Sequence, residues 1–287
     1  MARIAYVNGR YLPIHSPAIM IEDRGYQFAD GVYEVIKCKD GEPRDLERHL
    51  DRLQRSLEGL RIAMPTSRAA LAHIVNQVLR RNPLAMSIAY IQVSRGTSAR
   101  NHLFPKAGTR PSLVVTVRRA AFPKPLELED GVSVVTRPDI RWARCDIKSV
   151  SLLPNVLLKQ EASEAGAREV WLHDEDGLVT EGSTANAYIV DADGAIVTRP
   201  RGPEILGGIT REVLLEIAQK AGIAVVERPF SVAEAKAARE AFITSTSSLI
   251  LPVTRIDDTA IANGKPGSVS RRLLERYLAA ERLENVV

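Results

Sequence analysis

Asn-Gly and Asp-Gly dipeptides punctuate this chain, and the apolar or alternating runs between them are short. Such a dipeptide supplies the positive φ values of a tight hairpin turn, so it joins neighbouring antiparallel strands. A parallel pair instead needs a crossover of about a dozen residues or more. The pattern therefore predicts antiparallel pairing in preference to a doubly wound parallel sheet. Tyr6-Val7 and Tyr11-Leu12 flank Asn8-Gly9 as the first hairpin, and Asp30-Gly31 turns into the alternating run Val32 to Lys37. Asp45 is placed to cap a helix in which Leu46, Leu50, Leu53, Leu57 and Leu60 recur at helical spacing. A second helix follows through Leu71, Ile74, Val75, Val78 and Leu79, and Ser87–Val93 and Leu113–Val117 read as strands.

Residues 121 to 131 hold Pro123, Pro125 and an acidic end, and are the best linker candidate. Beyond them the elements restart. A strand at Val132–Thr136 precedes a helix from Leu152 to Ala165. Then comes a meander through Glu169–Leu172, Val179-Thr180, Ala187–Val190 and Ala195–Thr198, with Asp-Gly turns between. Thr210 and Ser231 open helices running to Ala221 and Ala241, Ala241–Thr244 is a strand, and Ser268 caps the last helix. The expectation is an α+β chain of two domains, residues 1–121 and 122–287, as its 287 residues also suggest.

Composition excludes several classes. A hydrophobic fraction of 45% with 26% charged residues is that of a globular chain. The longest apolar runs fall far short of the roughly 20 residues of a membrane span. Asn8-Gly9 interrupts the apolar stretch that a signal peptide needs, and two cysteines build no disulfide framework, so a cytoplasmic location is expected. The net charge of +4 is dispersed, with no basic stripe interleaved with aromatics, so nucleic acid is not an expected partner. The five histidines are scattered and the cysteines far apart, so no metal site is expected. Serine-hydrolase elbows and nucleotide-binding fingerprints are absent as well.

Lysine is scarce, nine against thirty arginines, and Lys148 lies in the middle of the chain. A lysine amine serves both as Schiff-base nucleophile and as proton carrier. Glu181, in Thr180-Glu-Gly-Ser-Thr-Ala-Asn186, offers the carboxylate that keeps a pyridine nitrogen protonated. Together they suggest a pyridoxal-phosphate enzyme, although a lysine taken by itself reads first as a solvated surface charge. Leu206-Gly-Gly-Ile-Thr-Arg211 places two glycines and a hydroxyl at a helix start, a ready anion site or an ordinary threonine cap. The hydroxyl run Thr244–Ser248 either caps the same anion or ends a strand. In Arg100-Asn101-His102 the outer residues project to one side of an extended segment and suit a carboxylate, or form an exposed loop tip. Arg52 lies between Leu50 and Leu53, where a surface arginine is the plain alternative, and Tyr33 either faces a pocket or packs.

These segments together resemble the fold-type IV pyridoxal-phosphate aminotransferases, and within them the D-amino-acid aminotransferase branch. The likeness runs nearly end to end. It includes Glu22-Asp-Arg-Gly-Tyr-Gln-Phe-Ala-Asp-Gly-Val-Tyr-Glu34, His49-Leu-Asp-Arg-Leu53 and Ser94-Arg-Gly-Thr-Ser-Ala-Arg-Asn-His102. It continues in Asp139-Ile-Arg-Trp-Ala-Arg-Cys-Asp-Ile-Lys-Ser149, Thr180–Asn186, Gly208-Ile-Thr-Arg211 and Thr244-Ser-Thr246.

The resemblance implies a small α+β N-terminal domain and a larger pseudo-barrel β domain with flanking helices. It implies pyridoxal 5′-phosphate in Schiff-base linkage to Lys148, with Glu181 on the pyridine nitrogen. Arg52, Ile209, Thr210 and Thr246 would hold the phosphate, with Leu206 and Ser245 in the same cofactor-binding set. Tyr33, Arg100 and His102 match the family's carboxylate trap. In that family the arginine and histidine reach in from a partner subunit, which implies a homodimer with a shared active site. The implied reaction is a ping-pong exchange between a D-amino acid and a 2-oxo acid. Ala185 and Ser247 depart from relatives that often carry a hydroxyl or threonine there, which leaves substrate range open. Branched-chain L-aminotransferase, (R)-amine transaminase and aminodeoxychorismate lyase share the cofactor and stand as alternatives, and a non-catalytic cofactor binder stands further off.

Overall fold

The computed structural model describes residues 3–16, 18–120 and 122–283. Ala121, which the reading of the linker included, lies outside them. The chain forms two compact units, Met1–Ala121 with Ile147–Leu152, and Phe122–Asp146 with Leu153–Val287. The short segment carrying Lys148 therefore groups with the first unit, a detail that a single cut at residue 121 does not carry.

The first unit comprises β1 (Ile4–Val7), β2 (Arg10–Pro13), α1 (Arg24–Phe28), β3 (Gly31–Lys39), β4 (Glu42–Pro43), α2 (Leu46–Gly59), α3 (Arg68–Arg81), β5 (Met86–Ser94) and β6 (Ser112–Arg119). Its sheet has the order β2-β1-β6-β5-β3-β4, and every pairing is antiparallel. The Asn8-Gly9 hairpin closes β1 on β2 with Val7 opposite Arg10, both turn residues at positive φ. One face of the sheet is covered by α2 and α3. Leu50, Leu53 and Leu57, with Leu71, Val75 and Val78, pack there against Val32, Ile36, Ile91 and Val115. The twofold period of β3 turns Val32, Glu34 and Ile36 to this buried face and Tyr33 to the other.

Asp45 precedes α2 as expected, but at φ 50 its side chain makes no capping hydrogen bond. Helix α1, which the Asp30-Gly31 turn signal did not reveal, is capped by Asp23, whose carboxylate accepts from the Gly25 amide at 2.8 Å.

The second unit contains α4 (Pro125–Asp130), β7 (Val132–Pro138), α5 (Leu153–Glu164), β8 (Glu169–His173), β9 (Val179–Gly182), β10 (Asn186–Val190), β11 (Ile196–Thr198), α6 (Ile209–Lys220), β12 (Val225–Glu227), α7 (Val232–Ala237), β13 (Glu240–Ser245), β14 (Leu249–Ile256), β15 (Thr259–Ala260) and α8 (Ser268–Leu283). The sheet order is β12-β11-β10-β13-β14-β7-β8-β9, with β15 on β14. Antiparallel pairs dominate, but β11–β12, β14–β7 and β7–β8 are parallel, so the sheet is mixed. At its far end β9 returns to β10 through a short turn closed by Gly182 N–H donating to the Ala185 carbonyl at 2.6 Å, and the sheet curls into a half-barrel. Trp171, Phe230, Ile189, Ile243 and Leu251 fill one side. On the other, Leu214 and Ala218 of α6 and Leu273 and Tyr277 of α8 pack on Tyr188, Phe242 and Ile250.

Three local readings are corrected. The linker candidate holds a helix, α4, begun by Pro125 and fastened by Glu127 accepting from the Lys124 amide at 2.9 Å. Helix α7 stops at Ala237, because β13 already begins at Glu240. At the start of α8 the amides of Val269 and Ser270 donate to the Glu240 carboxylate at 2.8 and 2.9 Å, so a distant glutamate caps this helix.

Candidate active site

Lys148 is held by its backbone against β3. Tyr33 N–H donates to the Lys148 carbonyl and Val150 N–H to the Gly31 carbonyl, both at 3.0 Å, and the Lys148 amide donates to Ser56 Oγ at 3.2 Å. These bonds explain why a six-residue segment groups with the first unit. The half-buried Lys148 Nζ lies 4.3 Å from the centroid of the Tyr33 ring, a cation–π contact. Tyr33 in turn stacks on Tyr90, centroids 5.6 Å apart. Burial, with Tyr33 adding to it, pushes the Tyr90 phenol up to about 12. The structure thus joins Lys148 and Tyr33 directly.

Arg52 is no surface arginine. It is 4% exposed, and its Nε and Nη2 donate to the two carboxylate oxygens of Glu34 at 2.7 and 2.8 Å. His49 Nδ1 lies 2.7 Å from the same carboxylate. Burial alone would raise the Glu34 carboxyl, but the charge and hydrogen bonds of Arg52, with His49, hold it well below the usual carboxylate range. The helical spacing of His49 and Arg52 and the inward parity of Glu34 on β3 bring the three together. Glu34 and His49 lie in the segments that carry the family resemblance, but their residue types alone give neither a role.

Arg100 and His102 are both exposed, and both approach one ring. The Arg100 guanidinium lies 4.8 Å from the Phe28 centroid, and the His102 ring 5.4 Å from it. Nothing in the sequence alone marks Phe28, at the end of α1, for this contact.

In the second unit Glu181 sits on β9, 5% exposed, inside a polar network. One carboxylate oxygen accepts from Arg141 Nη1 at 2.5 Å and the other from Asn186 Nδ2 at 2.9 Å. The Leu206 amide donates to both, at 3.2 and 3.1 Å. Arg141 is also bound to Asp139 at 2.7 Å, and Thr180 Oγ1 donates to Asp139 at 2.8 Å. Burial would lower the Arg141 guanidinium, but the charges of Glu181 and Asp139 keep it firmly protonated. The turn after Glu181 is fixed by buried Glu169, which accepts from Ser183 Oγ at 2.5 Å and Thr184 Oγ1 at 2.6 Å. Arg141, Asn186 and Glu169 escaped the sequence reading, although the first two lie within the quoted motifs.

Asn186 also reaches the start of α6. Its Nδ2 donates to the Leu206 carbonyl at 2.8 Å, and a Cβ on Gly208 would lie 2.2 Å from its Oδ1. Gly208 is the helix cap and provides no capping side chain. Thr210 is therefore not the cap; it lies within the first turn, 6% exposed, beside Ile209 at 3%. An α-helix start without a side-chain cap offers its amides and its positive dipole end to an anion. Across the β10–β13 pair Asn186 faces Thr244, so the hydroxyl-rich turn follows directly from the strand position opposite Asn186. In that turn Ser245 Oγ accepts from the Ser248 amide at 2.9 Å, and Thr246 is half-buried.

Among the described residues no group of histidine, cysteine or carboxylate side chains has the arrangement of a metal site, and no helix is long and apolar enough to cross a membrane.

Comparison with known proteins gives the chain a family. Two D-alanine aminotransferases are similar in sequence. That of Bacillus licheniformis is 40% identical over 267 residues, 93% of each chain. That of Staphylococcus epidermidis is 38% identical over 277 residues, 95% of this chain and 97% of the relative. Among solved structures, a T.th. branched-chain amino acid aminotransferase with pyridoxamine 5′-phosphate superposes with a TM-score of 0.89 at 27% identity, over 98% of this chain and 94% of that one. The Escherichia coli branched-chain enzyme shares the fold, also at TM-score 0.89, at 23% identity and over 97% and 94% of the two chains. A sequence model of the amino-transferase class IV family matches residues 31–256, which take in Lys148, Glu181 and the start of α6, and by that match and those relatives this chain belongs to the class IV aminotransferases.

Proposed function

We propose that the chain transfers an amino group between a D-amino acid of the D-alanine or D-glutamate type and a 2-oxo acid such as pyruvate or 2-oxoglutarate, with pyridoxal 5′-phosphate as cofactor. The observation that carries this reading is the Glu181–Asn186–Gly208 network. It links a carboxylate, suited to a pyridine nitrogen, to a helix start suited to a phosphate. In this reading Lys148 supplies the amine for the cofactor's aldehyde, Glu181 the carboxylate for the ring nitrogen, and Ile209, Thr210, Leu206, Ser245 and Thr246 with Arg52 serve the phosphate end. When bound, pyridoxal phosphate supplies the electron sink that makes the substrate α-proton removable.

The chain's own groups do the rest. Lys148 Nζ takes the proton from the substrate Cα and returns it one step later, as a base held in place by its backbone bonds to β3. Arg141 aims Glu181 through its hydrogen bond to one carboxylate oxygen. Tyr33, Arg100 and His102 take the substrate carboxylate, and 38–40% identity to D-alanine aminotransferases supports the D configuration. The functional form in this reading is a cytoplasmic homodimer, for which exposed Ile21, Tyr26 and Leu103 speak.

The structural likeness to branched-chain enzymes favours a second reading, an L-amino-acid aminotransferase on the same fold. The two are separated by a half-reaction. Yellow holoenzyme is mixed with D-alanine and, separately, with L-leucine, and the visible cofactor band is followed. Loss of the band with D-alanine is expected; loss with L-leucine alone overturns the D-specific assignment. Absence of any visible band after the cofactor is added overturns the whole reading.

A further inference from the structure

The run Glu22-Asp-Arg-Gly-Tyr-Gln-Phe28 has no part in the chemistry above, yet its residues converge on the loop that carries Arg100 and His102. Asp23 bolts α1 to the sheet: besides capping the helix, its carboxylate accepts from Ser94 Oγ at 2.9 Å and Ser112 Oγ at 2.6 Å. Gly25 must be glycine for the same docking, because a Cβ there would lie 2.8 Å from the Ser94 Cβ. The backbone is tied on both sides, Arg24 N–H to the Gly96 carbonyl at 2.9 Å and Ser98 N–H to the Glu22 carbonyl at 3.2 Å.

From this fixed base Arg24, 4% exposed, reaches outward. Its Nε donates to Asp30 Oδ2 at 2.8 Å and its Nη1 to the carbonyl of Asn101 at 2.5 Å, the residue between Arg100 and His102. Its guanidinium lies 4.7 Å from the Phe28 centroid, and the same ring takes Arg100 and His102. Asp30 is held in turn by Arg95, at 2.7 and 2.9 Å. Burial would raise the Asp30 carboxyl, but Arg95 and Arg24 more than offset this and hold it below its ordinary value. Arg95 and Arg61 also lie over Phe104, 3.8 and 4.6 Å from its centroid, and so clamp the loop just beyond His102.

We propose that Arg24 and Phe28 are positioning residues for substrate-carboxylate recognition: Arg24 fixes the backbone between Arg100 and His102, and Phe28 sets the direction of both side chains. The inference rests on the assignment of Arg100 and His102 to the carboxylate. A loop tip that is exposed has many conformations, and a carboxylate grip needs one; a buried arginine on the loop's own carbonyl and a shared ring supply that restriction.

The test uses the holoenzyme and five variants: Arg24→Met, Phe28→Leu, Phe28→Tyr, Arg100→Ala, and Arg24→Met combined with Arg100→Ala. Two quantities are read, KM against kcat for D-alanine with 2-oxoglutarate, and the calorimetric dissociation constant of propanoate, a carboxylate that cannot react. Arg24→Met and Phe28→Leu are expected to raise KM and the propanoate constant about tenfold with kcat within about twofold. Phe28→Tyr, which keeps the ring, should stay near wild type. Adding Arg24→Met to Arg100→Ala should cost less than the sum of the two single effects, because Arg24 acts in part through Arg100 and keeps only its effect on His102.

Unchanged KM and propanoate binding in Phe28→Leu and Arg24→Met, or effects that add in full to those of Arg100→Ala, overturn the inference while leaving the carboxylate assignment intact. Should Arg24→Met fail to fold, the Phe28 pair decides alone. If Arg100→Ala itself leaves both readouts at wild type, the carboxylate assignment fails and the inference with it.

Discussion

At the scale of single residues, charge is buried here only where it is answered. Glu34 has no exposed surface, and Arg52 and His49 meet its carboxylate. Glu34→Gln keeps the shape and removes the negative charge that faces buried Arg52; a loss of about 3–5 kcal/mol in denaturant unfolding is expected. The sign of the pH dependence follows from the lowered carboxyl. Its contribution is complete above the ordinary value of 4.5 and is lost as pH falls through the lower folded value. The stability difference between wild type and Glu34→Gln should therefore shrink as pH falls below the ordinary carboxyl value. Gly208 is constrained by contact, not by φ: its missing Cβ leaves room for Asn186 Oδ1. Gly208→Ala must displace Asn186 from Glu181 and Leu206. Pyridoxal phosphate, titrated by absorbance, should then bind about tenfold more weakly, the equivalent of one good hydrogen bond.

At the scale of elements, the periodic segments are legible and the caps only in part: Ser231, expected to open α7, does cap it, its Oγ accepting from the Glu234 amide at 3.0 Å. Leu50, Leu53 and Leu57 announce α2, and the Asn8-Gly9 turn announces its hairpin, because apolar period and turn chemistry are local. Helix α8 is different. Its first amides are taken by Glu240, some thirty residues away, and Gly267 is glycine because a Cβ would lie 1.9 Å from that carboxyl carbon. No local pattern encodes such a cap. Glu240→Ala should lower the unfolding free energy by about 1–2 kcal/mol, since two amides and the Ser270 hydroxyl lose their acceptor. A melting temperature at the wild-type value would mean that water replaces the carboxylate at no cost.

At the scale of the whole molecule, the residues proposed for the chemistry divide between the two units. Lys148, Tyr33, Arg52, Arg100 and His102 belong to the first, and Glu181, Leu206, Ile209, Thr210, Ser245 and Thr246 to the second. The sequence named these residues because each lies in a motif of recognisable chemistry. It left out the residues that aim them, Glu34, His49, Arg141, Asn186 and Phe28, since an aiming residue is defined by a contact across the fold and its type alone carries no signal. The same reason hid α1 and the grouping of Ile147–Leu152 with the first unit: both are fixed by pairing with distant strands.

Everything proposed for these units depends on Lys148 as the residue that takes the cofactor. Borohydride reduction of the yellow holoenzyme, followed by peptide mass mapping, tests this directly. A phosphopyridoxyl group on Lys148 alone is the predicted result; the group on any other of the nine lysines, with Lys148 unmodified, would contradict the account.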